Sequence, residues 1–318
     1  EEIFRNATIQ NHVISLNSGS EHSQMYMSLG YFDQEGVVRG SEMKRYSFKL
    51  NLSSDVSEHI KVGANINASH IMNNYAANGV QGNERAGVIN AAVENNPAMP
   101  IRDQNGNYFV DPNIALDNPL ALIDGFSDLE KSNNLFGNVF ADFNITKSIS
   151  LNTKFGANVS SGRRDQYLGR LTQRGGGANG IAGIFNNEEI NSLAQATLSY
   201  NPELGAGQSL NVLIGTTFEK FSNRLVRTYS QNFTTDGLMT NDLSNGTDII
   251  NRPESFSGVN QLLSYLGRVN YSYAEKYLVT ASMRVDGSSR FSEDNRYGFF
   301  PSLAVGWNIG NESFMQSI

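Results

Sequence analysis

The sequence predicts an all-β chain, an antiparallel transmembrane β-barrel that is partial: about ten to eleven consecutive strands of a larger barrel, with long extracellular loops. Three observations predict it. Stretches of about nine to twelve residues alternate apolar and polar side chains, short polar connections take turns with long polar ones, and aromatic rings gather near strand ends. Successive strand side chains point to opposite faces, so each stretch has one greasy face and one wet face. About 9 to 11 tilted residues cross a hydrocarbon layer, whereas strands of soluble proteins average about 5 to 6. The length of the alternation therefore favours a membrane wall over a sandwich core.

Strands are predicted near 7–18 and 23–33, joined by Asn17 to His22, and near 43–54 and 59–71, joined by Ser54 to Glu58. In 43–54, Tyr46, Phe48, Leu50 and Leu52 share one face, and Arg45, Ser47, Lys49, Asn51 and Ser53 the other. In 59–71, Ile60, Val62, Ala64, Ile66 and Ala68 oppose Lys61, Asn65, Asn67 and Ser69. Beyond the long connection 72–132 come 133–145 and 148–160, joined by Thr146-Lys147; Ile149, Leu151, Phe155, Ala157 and Val159 oppose Ser150, Asn152, Lys154 and Asn158. Beyond 161–190, strands 191–201 and 208–221 flank Pro202 to Gln208. Beyond 222–259, strands 260–273 and 276–287 flank Ala274-Glu275, and the last strand is 297–309. In 260–273, Tyr265, Val269, Tyr271 and Tyr273 oppose Arg268, Asn270 and Ser272; in 276–287, Tyr277, Val279, Ala281, Met283 and Val285 oppose Thr280, Ser282 and Arg284. Segments 34–42 and 288–296 are shorter versions of the long connections. Short turns face the periplasm and long loops face outside in barrels of this kind. Inside 72–132, Asn90 to Asn95 predict a short helix stopped by Pro97.

Composition narrows the classes. The chain has 318 residues, a formal charge of -7 and no cysteine, and its mean hydropathy is -0.37. No run of about 18 apolar residues exists, which excludes a helical span and says nothing of barrel strands. The acidic balance argues against a nucleic-acid partner, which requires a basic footprint. Zero cysteines remove disulfides and thiolate metal sites. Glu1-Glu2-Ile3-Phe4-Arg5 has no basic-then-apolar leader pattern, so an envelope protein is expected to begin upstream of it.

At Tyr26 to Asn51 (YMSLGYFDQEGVVRGSEMKRYSFKLN), at Asn96-Pro97 through Tyr108, and at Asn118-Pro119-Leu120-Ala121, the chain resembles the SusC/RagA family of TonB-dependent outer-membrane transporters. The fullest match is Arg284 to Trp307 (RVDGSSRFSEDNRYGFFPSLAVGW). Its landmarks are Asp286, Gly287, Ser288, Ser289, Arg290 and Phe291, then Phe300, Pro301, Ser302 and Trp307. The resemblance implies that residues 1–318 are part of the C-terminal β-barrel domain, with plug domain and TonB box absent from this chain. It also implies TonB-dependent import of a bulky nutrient, a glycan fragment or an oligopeptide, across the outer membrane of a Gram-negative bacterium. The partners implied are a SusD-like surface lipoprotein that closes over the barrel, the TonB motor complex through the missing N-terminal region, and the lipid bilayer. A passive porin or a structural surface adhesin is the alternative on the same strand physics.

Residue by residue, the landmarks read as structural. Asp-Gly followed by two serines makes a tight turn, which Arg290 is expected to pin by pairing with Asp286 or Asp294. Pro301 cannot donate to a strand ladder and is expected at a strand start or a bulge.

Chemistry motifs fail. Asp103 to Asn107 begins like a calcium loop but has Tyr108 where glycine is required, so a turn centred on Gly106 is expected. Gly175 to Gly180 satisfies G-x-G-x-x-G without a strand before it, and a flexible loop is expected. His12, His22, His59 and His70 lie on separate strand ends and turns. No catalytic residue, metal or cofactor is expected. Ligand contact is expected from the long loops, through Tyr75, Tyr108 and Phe109 in the first, Arg163, Arg164 and Tyr167 in the second, and Arg227 and Tyr229 in the third. Aromatic faces beside arginines suit sugar rings and peptide backbones, by stacking and bidentate hydrogen bonds.

Overall fold

The computed structural model describes residues 2–78, 87–111, 116–249 and 251–315. One antiparallel sheet runs in chain order through β1 (Ile9–Gly19), β2 (Ser23–Glu35), β3 (Glu42–Ser57), β4 (Ile60–Asn74), β5 (Phe126–Asn144), β6 (Ile149–Leu168), β7 (Ile181–Tyr200), β8 (Gln208–Phe233), β10 (Glu254–Tyr273), β11 (Tyr277–Ser288) and β12 (Tyr297–Trp307). The short β9 (Gly246–Asp248) adds to the end of β8. Three short helices, α1 (Val88–Glu94), α2 (Pro119–Gly125) and α3 (Gln173–Gly177), lie in the long connections. No helix among the described residues is long and apolar enough to cross a membrane.

Register turns the alternation of single strands into one continuous belt. The ladder pairs run Ile14 to Leu29, Phe48, Ala68, Leu135, Val159 and Ile190, an apolar row across β1 to β7. A second row joins Ile149, Tyr200, Val212, Val269, Ala281 and Leu303. Among the described residues nothing covers its most exposed members: Ile14 is 77% exposed, Leu303 72% and Val305 75%. A contiguous apolar belt of this extent marks a surface that meets something other than water. Between Ile60 and Ala68, or Phe299 and Trp307, its height matches what a tilted strand needs to cross the hydrocarbon. The opposite face is polar and bonded to itself. Thr280 Oγ1 donates to Asn270 Oδ1 (2.9 Å), Asn270 Nδ2 to Asn211 Oδ1 (3.2 Å), and Asn211 Nδ2 to Asn201 Oδ1 (2.5 Å), a chain that crosses β11, β10 and β8 and ends at the turn after β7.

The short turns fall where they are predicted, at Ser20–His22, Glu58-His59, Ile145–Ser148, Asn201–Gly207 and Ala274–Lys276. The opposite strand ends differ from expectation. β5 begins at Phe126, β6 continues to Leu168, β7 begins at Ile181 and β8 continues to Phe233, all inside segments read as loops. These extensions rise beyond the apolar belt. There the alternation disappears, because polar Asp128 and Gln166 are buried on one face and Tyr167 on the other, and cross-strand polar pairs help to hold the ladder.

Two small cores support the loop end. Ile3, Val88, Ala91, Leu116, Leu120 and Leu122 form one, built on α1 and α2. The expected helix is α1, ending before Pro97. Asn118 caps α2 by accepting from Leu120 N at 3.0 Å, and Pro119 opens it, where a missing N–H costs nothing. The second core packs Tyr167 against Ala182 and Phe233. Glycines 175–177, read as flexible, instead belong to α3, which Thr172 caps by accepting from Gly175 N at 3.1 Å. Gly106 sits at φ 83 in the expected turn, where Asp103 Oδ1 accepts from Asn105 N and Asn107 N.

Two expectations for the family landmarks are corrected. Arg284, not Arg290, binds Asp286: its Nε lies 2.8 and 2.9 Å from the two carboxylate oxygens. The two residues are neighbours on one face of β11, and this proximity outcompetes a partner across the turn. Pro301 lies in mid-strand, opposite Met283, with no register shift. A residue without an N–H leaves a ladder unbroken where its nitrogen points away from the paired strand, so the in-register pairing with β11 accommodates it.

Candidate functional site

The continuous registers of β4 to β8 and β10 assign every extension residue to a face. Residues in phase with the belt point outward, and those out of phase line the inner wall. The eight predicted contact residues split accordingly. Tyr75, Arg164, Arg227 and Tyr229 lie on the inner face, Arg163 and Tyr167 on the outer, and Tyr108 and Phe109 in the first long connection. Arg163, Arg164, Tyr167, Arg227 and Tyr229 are strand residues, which corrects their placement in loops.

The inner wall is organised around Asp128, which is 0% exposed. Its two oxygens accept from Arg164 Nε and Nη2, both at 2.6 Å, and from Gln166 Nε2 at 2.9 Å. A buried carboxylate must find such donors, and a bidentate guanidinium is the strongest pair available. The same guanidinium lies 4.9 Å from the Tyr75 ring centroid. Tyr75 donates to Glu130 Oε2 at 2.6 Å; burial first, then this hydrogen bond, pushes its phenol up to about 12. Farther along the wall, Tyr229 meets Phe185 edge-on with centroids 5.4 Å apart, and Arg227 stands 3.8 Å from Glu254. The wall thus offers rings and charged groups already fixed by neighbours.

Tyr167 has another task. Its hydroxyl donates to Asp236 Oδ1 at 2.8 Å, Asp236 Oδ2 accepts from Arg170 N at 2.8 Å, and the Arg170 guanidinium binds Asp236 and the carbonyl of Phe233. This knot ties the second long connection to the third. Burial first and the bond to Asp236 second push the Tyr167 phenol well up.

In the first connection, Phe109, Ile89, Val93, Met99, Ile101 and Phe4 border an open cleft of about 660 Å³. Beside it, Tyr108 donates to Asp124 and accepts from Arg102 Nη2 at 3.0 Å, with the Arg102 guanidinium 4.2 Å from its ring. Val93 is 79% exposed, so this rim is apolar and open. Sequence reasoning missed Asp128, Glu130, Gln166, Phe185 and Asp236. The signal present was the reappearance of carboxylates where alternation stops, but their partners lie 36 or more residues away along the chain. No group of His, Asp or Glu among the described residues is arranged to hold a metal ion.

No family model matches the chain. It is 30% identical over 319 residues to the TonB-dependent receptor P3 of Formosa agariphila, covering 99% of this chain and 32% of that protein. It is 29% identical to the TonB-dependent receptor SusC of Bacteroides thetaiotaomicron, covering 100% of this chain and 33% of that protein. Among solved structures, one described as the RagAB peptide transporter superposes with a TM-score of 0.81 at 24% identity, covering 99% of this chain and 35% of that one. The chain therefore spans about a third of the length of the curated relatives it matches.

Proposed function

We propose that the chain belongs with the TonB-dependent receptors of the SusC/RagA kind and forms part of the barrel wall of an energised outer-membrane importer in a Gram-negative bacterium. In this reading residues 1–318 belong to the C-terminal β-barrel domain, and the plug domain and TonB box belong to other parts of a longer polypeptide. The observation that carries it is the pairing of an outward apolar belt with an inward polar wall, over a chain matched from end to end by named receptors. Lipid tolerates no unpaired backbone, so in this reading the eleven-strand run of the described residues is one part of a closed wall.

The cargo is a bulky nutrient, a glycan fragment or an oligopeptide, taken with a SusD-like lipoprotein over the loop end. Tyr75, Arg164, Arg227 and Tyr229 face the path of the ligand from the inner wall, and Tyr108 and Phe109 stand at the loop cleft. Arg163 and Tyr167 are left to the outer face and the loop knot. The test is growth of the source bacterium on oligopeptide or oligosaccharide as sole nutrient, with the parent gene intact, deleted, or altered in its TonB box. Loss of growth on one nutrient class in both altered strains supports import. Growth that needs the barrel but not the TonB box would leave a passive pore.

A further inference from the structure

Two residues above the apolar row on the outer face, the ladder pairs His70 with Asn133, Ser161, Glu188 and Arg224 in turn. Two residues of strand rise about 6.6 Å, so this polar row lies where the hydrocarbon gives way to headgroups. It borders a cleft of about 450 Å³ that Lys131, Arg163 and Arg224 also line. Lys131 and Arg163 are direct cross-strand partners, and like charges placed opposite each other destabilise a sheet unless an anion lies between or beside them. The protein compensates them only in part. Arg163 is held by Asp165, with Nε and Nη2 each 2.9 Å from a carboxylate oxygen, and Glu188 stands in the row. Among the described residues, neither Lys131 nor Arg224 has a carboxylate within ion-pair distance. Three cations against two carboxylates leave the cleft net positive, although the chain as a whole carries -7.

We propose that this outward cleft binds the phosphorylated headgroup of a lipid in the surrounding outer leaflet, with Lys131 and Arg224 supplying its charge. The acyl chains then lie along the apolar row of Ala68, Leu135, Val159 and Ile190 directly below. A basic cluster at the edge of a hydrophobic belt is the arrangement that attracts anionic lipid. The proposal rests on the outer-membrane reading above.

The test uses the full-length parent protein in non-ionic detergent micelles doped with lipid A, with dephosphorylated lipid A, or with lipid A in the presence of millimolar inorganic phosphate, binding being followed by native mass spectrometry. Lys131→Gln with Arg224→Gln should weaken lipid A binding about thirtyfold, the size expected for two surface cations near an anionic lipid. Dephosphorylated lipid A should bind the unaltered protein as poorly as lipid A binds the double variant, and inorganic phosphate should displace nothing. Lys49→Gln with Lys154→Gln, two inner-wall cations, should leave binding unchanged and so controls for net charge. Undiminished binding by the double variant, equal binding of the dephosphorylated lipid, or displacement by inorganic phosphate would each overturn the assignment. Failure of the outer-membrane reading would look different: the parent protein would fractionate with soluble proteins.

Discussion

Replacing Asp128 by asparagine removes one charge from the buried centre of the inner wall and almost nothing from its shape. The asparagine keeps one acceptor oxygen and turns an NH₂ group toward the guanidinium that lies 2.6 Å from both carboxylate oxygens. Breaking a buried ion pair costs about 3 to 5 kcal/mol when the abandoned charge stays buried. Arg164 keeps 32% of its side chain exposed and can be rehydrated, so a loss of about 2 to 3 kcal/mol is expected. The assay is the urea-dependent folding equilibrium of the full-length protein in lipid vesicles, run as a double-mutant cycle with Arg164→Met. Coupled side chains should make the double variant less destabilised than the sum of the single variants by at least about 1 kcal/mol. Single variants within about 0.5 kcal/mol of the unaltered protein, or strict additivity, would refute the reasoning.

Other outcomes follow from the same structure. Glu312 accepts from Lys276 Nζ (2.8 Å), Tyr277 OH (2.7 Å) and Trp307 Nε1 (3.1 Å), and these donors, Lys276 first, hold its carboxyl down at about 2 against a usual 4.5. Its stabilisation is therefore complete above pH 4.5 and lost as pH falls toward 2. Urea midpoints between pH 6 and 3 should fall more steeply for the unaltered protein than for Glu312→Gln; parallel curves would contradict the clasp. Gly63→Ala places a methyl against the Phe140 ring and 2.7 Å from the Leu52 carbonyl, so a loss of about 1 to 3 kcal/mol is expected in the same folding assay, and a neutral result would mean that Phe140 does not cover Gly63. Residues 1–318 expressed alone should aggregate in water through the open edges of β1 and β12, and a monodisperse, detergent-free monomer in light scattering would contradict an open sheet.

The parts of the wall that touch lipid were legible in the sequence because two environments act on alternate residues. Tyr46 to Leu52 and Ile60 to Ala68 carry that demand openly, and the register pairs them as the alternation requires. The extensions were not legible. Residues 126–132 and 161–168 bury polar Asp128 and Gln166 on the inner face and Tyr167 on the outer, so no apolar-polar alternation distinguishes strand from loop. The candidate residues were named for their chemistry, and only register reveals that Arg163 and Arg164, adjacent in sequence, face opposite ways. Helix α1 was visible through Pro97; α2 was not read, although Asn118-Pro119 carries both a cap and a favoured first residue. Arg290 was matched to Asp286 across a turn, whereas Arg284 reaches it along the strand.

The central claim is that one sheet separates lipid from a polar interior with period two. Because these 318 residues contain no cysteine, single cysteines at Lys49, Leu50, Ile66 and Asn67 can carry spin labels in a cysteine-free full-length background in bilayers. The account predicts that labels at Leu50 and Ile66 are relaxed by lipid-soluble oxygen and labels at Lys49 and Asn67 by a water-soluble nickel chelate. Equal accessibility of all four to the aqueous reagent would contradict it.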